Sequence, residues 1–126
     1  MNSESTYTLY RKGMELLEDG SYDEATVPLA EAAQRAPEKT SVREALGRAY
    51  FRNRQFAEAA AEFEAVVASA PVNDYAHFCL GRALSITGDS ERARHHLALA
   101  SNLQPDRSDY RLYRDRARGG AQRSSG

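Results

Sequence analysis

The sequence predicts an all-α protein, an α-solenoid of three helix-turn-helix repeats followed by a seventh, capping helix. The first observation is an exact periodicity along the chain. One constant interval separates Gly13, Gly47 and Gly81, and the same interval separates Ala25, Ala59 and Ala93, and then Pro37, Pro71 and Pro105. The second observation is that each repeat contains two stretches of helical periodicity, separated by a short break. One helix pair has too thin a core to stand alone, so we expect the pairs to stack.

Length and composition are those of one small folded domain. The chain has 126 residues, of which 41% are hydrophobic and 28% charged. Its net charge of −1 favours neither nucleic acid nor a membrane surface as a partner. No apolar stretch is long enough to cross a membrane, and the first residues lack the basic and apolar segments of a signal peptide. We therefore expect a cytoplasmic protein.

The first repeat is predicted at residues 6–39, with a break between its helices at residues 19–21. Ser21 and Glu24 have the spacing of a capping box at the start of the second helix. Pro28 lies inside that helix, where it removes the hydrogen bond to the Glu24 carbonyl and is predicted to kink the helix.

The second and third repeats, at residues 40–73 and 74–107, follow the same plan. Ser41 with Glu44 also has capping-box spacing, and Asn73 and Asp89 are predicted N-caps. The recurring glycines and alanines let neighbouring helices approach closely. The recurring prolines stop the second helix of each repeat and turn the chain into the next one.

Residues 106–118 are predicted to form the seventh helix. Its narrow apolar stripe consists of Tyr110, Tyr113 and Ala117, and it lacks a glycine at the register of the repeats. These features predict a capping helix whose outer face is polar, as the end of a repeat array requires. Residues 119–126, rich in glycine and serine, are predicted to be a flexible tail.

This pattern resembles the tetratricopeptide repeat family over about residues 6–107, as three complete repeats. The resemblance implies antiparallel helix pairs in a right-handed superhelix, with the first helix of each pair lining a concave groove. The chain departs from the family at Arg43 and His77, where a large apolar residue such as Leu9 is usual.

No catalytic or metal-binding constellation is convincing. His95 and His96 point about 100° apart on one helix, and Glu91 adds too few ligands to close a metal site. His77 is expected to be a partly buried structural residue, and Cys79 a small apolar residue rather than a reactive thiol. We therefore expect no enzymatic activity, no cofactor and no metal.

The family's groove register, carried over residue by residue, gives a set of candidate binding residues. They are Tyr7, Tyr10, Met14, Glu44, Arg48, Arg52, Tyr75, Phe78 and Arg82, with Leu17, Phe51 and Cys79 at the same face. Leu17, Phe51 and Phe78 are equally compatible with the core, because groove and core faces lie one helical step apart. Arg48 and Arg82 have the register to hold one carboxylate together, or to form ordinary surface ion pairs with residues such as Glu44.

The leading functional hypothesis is a non-enzymatic adaptor or scaffold that binds a protein or peptide segment with apolar and acidic residues. Family members that bind the acidic tails of Hsp70 and Hsp90 use a clamp of basic and amide residues. The matching positions here are Tyr10, Met14, Ala45, Tyr75 and Cys79. None of these is Lys, Arg or Asn, so a chaperone-tail adaptor of that kind is not expected.

Two alternatives remain open. The first is self-assembly into a homo-oligomer, in which exposed end helices pack on a second copy; its motive is Tyr110 and Tyr113 on a short terminal helix with few other apolar residues to cover the end of a repeat. The second is RNA binding through the C-terminal arginines Arg107, Arg111, Arg114, Arg116, Arg118 and Arg123. Acidic residues interrupt that run, so a solvated helix face explains it more simply and nucleic acid is not favoured.

Overall fold

Seven α-helices follow one another in the computed structural model, which describes the backbone of residues 4–125 and the side chains of residues 4–119. They are α1 (Thr6–Glu18), α2 (Tyr22–Arg35), α3 (Thr40–Arg52), α4 (Phe56–Ser69), α5 (Asp74–Thr87), α6 (Ser90–Leu103) and α7 (Ser108–Ser125). Residues 4–125 contain no β-strand. Within that range, no helix is both long and apolar enough to cross a membrane.

The helices pack mainly on their neighbours in sequence. The pairs α1–α2, α3–α4 and α5–α6 each lie within one predicted repeat, and α2–α3, α4–α5 and α6–α7 join consecutive repeats. First helices of neighbouring pairs also touch, as α1 touches α3 and α5 touches α7. The predicted all-α stack of helical hairpins is therefore confirmed.

Glycine is required where the two helices of a pair come closest. A Cβ atom at Gly81 would lie 2.6 Å from Leu97 Cγ and 3.2 Å from the carbonyl oxygen of Ala93. At Gly13 it would lie 2.3 Å from Leu29 Cγ. Leu29 and Leu97 are both buried, so any larger residue displaces a core side chain.

Two predicted helix caps are confirmed, a third has the predicted N-cap residue without its side-chain bond, and a fourth is wrong. The side chains of Asn73 and Asp89 accept hydrogen bonds from the backbone amides three residues further on, at 3.0 and 3.3 Å. Ser21 makes no side-chain capping bond. Helix α3 begins after Lys39, which places Ser41 inside the helix rather than at its cap. Helix α2 continues through Pro28 as one helix, and the kink expected there stays a prediction.

The seventh helix extends beyond its predicted end at Arg118. Residues 119–125, predicted to be a flexible tail, are helical, while Gly126 lies outside the described residues. Glycine costs a helix about 1 kcal/mol relative to alanine, which disfavours but does not forbid the continuation. Nothing lies within 4 Å of a Cβ atom placed at Gly119, so no neighbouring element ends the helix there.

One polar contact recurs where each helix pair meets the next. Side chains at the same register of successive repeats bond the carbonyl oxygen of the proline that precedes their helix: Arg43 to Pro37 at 2.8 Å, His77 to Pro71 at 2.8 Å and Arg111 to Pro105 at 2.6 Å. This contact explains the polar residues at positions 43 and 77, where an apolar one was expected. It also shows that α7 takes the position that the first helix of a further repeat would have.

The side chain at this position also bonds a second residue, and that residue differs between repeats. Arg43 Nη1 donates to Glu62 Oε1 at 2.9 Å, whereas His77 Nδ1 lies 3.0 Å from His96 Nδ1. Since His77 Nε2 faces a carbonyl oxygen, it must donate, which leaves Nδ1 of the neutral ring to accept the proton of His96 Nδ1. The hydrogen bond between the two rings therefore requires that at least one of them is neutral, because two protonated rings would both present an N–H group.

The histidine pair predicts a pH-dependent stability. Burial, reinforced by the nearby His77, His95 and Arg92, lowers the pKa of His96 to about 4 from its ordinary value of 6.5. Because the unfolded chain then binds more protons, the free energy of unfolding should fall as the pH drops from 6.5 to about 4. Solvent screening limits this loss to about 1–2 kcal/mol.

Urea unfolding at neutral pH and at a pH just above the pKa of His96 measures this effect. We expect the stability difference between the two pH values to shrink in His96→Gln, while the exposed neighbour variant His95→Gln should keep most of it. An unchanged difference in His96→Gln would assign the pH dependence to other groups.

Candidate functional site

A cavity of about 490 Å³ lies between α3 and α5, the first helices of the second and third repeats. We call it the α3–α5 cavity. It is lined by Arg48, Phe51 and Arg52 from α3, by Phe63 from α4, and by Tyr75, Phe78, Cys79 and Arg82 from α5. The α5 residues recur at helical spacings of three and four, so they share one face of that helix. Among the described residues, no carboxylate lines the cavity.

Aromatic rings hold Arg82 at the cavity wall. Its guanidinium carbon lies 4.9 Å from the ring centre of Phe51, 5.8 Å from that of Phe78 and 4.7 Å from that of Tyr113. Such contacts stabilise a cation without neutralising its charge. Among the residues that the structure describes, Arg82 has no carboxylate within ion-pair distance.

The other two arginines of the cavity differ in their contacts. Arg48 forms no ion pair with any described residue, and its possible partner Glu44 instead accepts a hydrogen bond from Asn73 Nδ2 at 3.2 Å. Arg52 donates to the hydroxyl of Tyr22 at 2.6 Å and lies over that ring. Arg48 and Arg82 therefore keep their positive charge at the cavity wall without an ion pair to any described residue, although the carboxylate of Glu44 lies close enough to influence Tyr75 and Cys79.

The thiol and phenol of the cavity are neutral groups. Burial raises the pKa of the Cys79 thiol to about 12. Burial also raises the pKa of Tyr75 above its ordinary value, with the neighbouring Cys79 adding to the effect. At neutral pH Cys79 is a protonated thiol, which makes it a poor nucleophile. These two residues offer a ligand neutral polar contacts rather than charge or covalent chemistry.

Five of the nine predicted site residues line this one cavity. They are Arg48, Arg52, Tyr75, Phe78 and Arg82, and the structure adds Phe51 and Cys79 from the same predicted face. Phe78 belongs to both faces, since it is 7% exposed and packs 4.6 Å from the ring of Tyr110.

The remaining predicted site residues lie elsewhere. Tyr7 is 68% exposed at the start of α1, and Tyr10 and Met14 pack partly buried against the core of the first two repeats. Leu17 is a core residue. None of these four lines the α3–α5 cavity, and neither does Glu44. Within the described residues, the cavity belongs to the second and third repeats.

Of the two tyrosines that motivate self-assembly, Tyr110 is buried in the protein's own core and Tyr113 is half-buried, which weakens that reason for self-assembly. Tyr110 is fully buried, and its hydroxyl donates to Asp74 Oδ2 at 2.7 Å. Tyr113 packs edge-on against Phe78 at 5.4 Å, beside Arg82. Sequence reasoning missed Tyr113 as a neighbour of the site residue Arg82, although it lies one repeat length after Cys79.

Most C-terminal arginines contact groups of their own chain. Arg107 pairs with Asp109, Arg114 and Arg118 pair with Asp115, and Arg111 bonds the Pro105 carbonyl. The positive charge that α7 presents to a polyanion is therefore smaller than the number of its arginines suggests. No group of three or more His, Cys, Asp or Glu residues in the described part is arranged to hold a metal ion.

Stacked helical hairpins with an open groove define an α-solenoid repeat protein. The sequence model of the tetratricopeptide repeat matches residues 16–79, about half of the chain. The chain belongs to the tetratricopeptide repeat family. No curated protein matches it.

Solved structures share the fold at low sequence identity. The first tetratricopeptide repeat domain of Spaghetti (RPAP3), bound to an HSP90 peptide, is 21% identical, with 97% of each chain covered and a TM-score of 0.88. MamA of Desulfovibrio magneticus RS-1, from residue 41 to its end, is 23% identical, with 94% of this chain and 67% of that chain covered and a TM-score of 0.89. A chain of the CopN–Scc3 complex is 16% identical, with 93% and 69% covered and a TM-score of 0.76.

Proposed function

We propose that this protein is a non-enzymatic binding module, an adaptor or scaffold, whose α3–α5 cavity receives a segment of a partner protein with apolar and acidic residues. The observation that carries the proposal is the lining of the cavity. Three arginines and four aromatic rings surround about 490 Å³, with no carboxylate among the described lining residues.

The chemistry of the lining matches such a segment. Aromatic rings provide a large contact area and lose little conformational entropy on binding. A guanidinium group binds a carboxylate through two parallel hydrogen bonds, which fixes both position and direction. The volume lies within the range of small-molecule sites, and accommodates one or two side chains of a peptide rather than a folded domain.

A structural neighbour supports the use of this fold for peptides, with a different selectivity here. The RPAP3 domain is bound to an HSP90 peptide of sequence SRMEEVD. In this chain the corresponding clamp positions include Tyr75 and Cys79, which are both neutral, and the positive charges lie instead at Arg48 and Arg82. The proposed ligand is therefore an acidic and apolar segment that is read by arginines outside the usual clamp register.

Charge reversal in the cavity tests this proposal. In affinity capture from cells, the double variant Arg48→Glu and Arg82→Glu should lose the partners that the native protein retains, because it repels acidic segments. Arg11→Glu is the control, since Arg11 is exposed on α1 outside the cavity. If the captured proteins are the same for all three forms, the cavity is not the binding site.

A further inference from the structure

The arginines of the cavity continue into α7. The interval from Arg82 to Arg116 equals the interval from Arg48 to Arg82, and both equal the period of the repeats. The bond from Arg111 to the Pro105 carbonyl repeats the one from His77 to the Pro71 carbonyl, so α7 has the register of a first helix in space as well as in sequence. The face of α7 that carries Arg116 therefore corresponds to the cavity-lining faces of α3 and α5.

Tyr113 joins the last two of these arginines. Its ring centre lies 4.7 Å from the guanidinium carbon of Arg82 and 5.2 Å from that of Arg116. A second cavity, of about 300 Å³, is lined by Arg82, Tyr113, Arg116 and Ile86 among others. Since Arg82 lines both cavities, they adjoin each other at its side chain.

The charges along this surface have one sign. Among the described residues, no carboxylate lines either cavity. Within the same part of the chain Arg48, Arg82 and Arg116 form no ion pair, whereas Arg114 and Arg118 on the last helix pair with Asp115. One register position of three successive first helices thus carries an arginine that has no ion-pair partner among the described residues.

We infer that Arg48, Arg82 and Arg116 form an arginine row that binds an extended acidic segment of a partner protein. This inference rests on the proposed function and adds to it a ligand class and a third contact. It also makes α7 part of the binding surface rather than only a cap.

The geometry suggests a spacing for the acidic residues. Packed helices lie about 10 Å apart, and a chain in the extended polyproline II conformation advances about 3.1 Å per residue with every third side chain on the same face. Carboxylates at about every third residue would therefore meet successive arginines, with apolar side chains between them in contact with Tyr113 and Phe78. A nucleic acid fits less well, because the neighbouring arginines of α7 are paired with aspartates and offer its phosphates no wider basic surface.

Fluorescence anisotropy with two labelled peptides tests the arginine row. Both have about 15 residues, long enough to span the row, with Leu and Tyr between either Glu or Gln at every third position. We expect the Glu peptide to bind the native protein at least about tenfold more tightly than the Gln peptide. Arg48→Gln and Arg116→Gln should each weaken the Glu peptide about tenfold, whereas Arg118→Gln, with the same charge change on α7, should have less than about a twofold effect.

Each other outcome overturns the inference in a distinguishable way. If Arg48→Gln weakens binding and Arg116→Gln does not, the row ends at Arg82 and the proposed function stands. If the native protein does not distinguish the two peptides, or binds neither, the acidic ligand class is wrong. The proposed function is then tested separately by the affinity capture described above, which does not depend on the choice of peptide. If a single-stranded oligonucleotide binds more tightly than the Glu peptide and depends on Arg116, the surface is a nucleic-acid site.

Discussion

Replacing Phe63 by alanine is expected to lower the free energy of unfolding by about 3–5 kcal/mol, a loss that is typical when a fully buried aromatic side chain is removed. Phe63 is 0% exposed. Its ring fills the space beside Gly47, where a Cβ atom would lie 2.9 Å from it, and it belongs to the core that joins α4 to α5. The substitution therefore leaves a cavity at the junction of two repeats.

Urea unfolding followed by circular dichroism measures the loss at Phe63. Phe56→Ala is the matched control, since Phe56 lies on the same helix but is only half-buried and packs edge-on against Phe51 at 5.0 Å. We expect the control to lose less than half as much stability. Equal losses in the two variants would mean that burial at the centre of the stack is not what distinguishes these phenylalanines.

Gly81→Ala is expected to destabilise the protein by about 1–3 kcal/mol, although alanine has the higher helix propensity. The new methyl group would lie 2.6 Å from Leu97 Cγ and 3.2 Å from the backbone oxygen of Ala93. Leucine can change its rotamer, but the backbone oxygen cannot move without shifting α6. The two helices of the third repeat must then separate, which loosens the support of the cavity residues on α5.

Gly119→Ala is the control for Gly81→Ala, because Gly119 is also helical but has nothing within 4 Å of its missing Cβ atom. We expect it to be neutral or to stabilise the protein by up to about 1 kcal/mol, as propensity alone predicts. If both alanine variants stabilise the protein, close approach is not the reason for the glycine at position 81.

The fold could be predicted because its signal is local and repeated. Gly13, Gly47 and Gly81 mark the close approaches of three helix pairs, and each approach involves residues of the same repeat. Such a pattern identifies the helices and their nesting. The end of α7 could not be predicted in this way. Glycines usually indicate the end of a helix, but they are tolerated inside a helix where no neighbouring element packs against it.

The candidate site could be predicted only in part, since its walls come from different repeats. Arg48 and Arg82 followed from the register, but the cage around Arg82 includes Tyr113, which lies on the last helix. Phe78 serves both core and cavity, which helical periodicity alone does not distinguish. The polar residues Arg43 and His77 were unexplained for a similar reason, because the partner they share by type is a backbone carbonyl, which leaves no mark in the sequence. Their side-chain partners differ and lie on other helices.

Side-chain NMR of the arginines tests the central claim most directly, namely that the ligand lies along the first helices against Arg48, Arg82 and Arg116. On titration of the native protein with the Glu peptide, the Nε–Hε signals of these three arginines should shift together, while those of Arg11 and Arg94, which line neither cavity, should not. Shifts at Arg11 or Arg94 with none along the row would contradict the account.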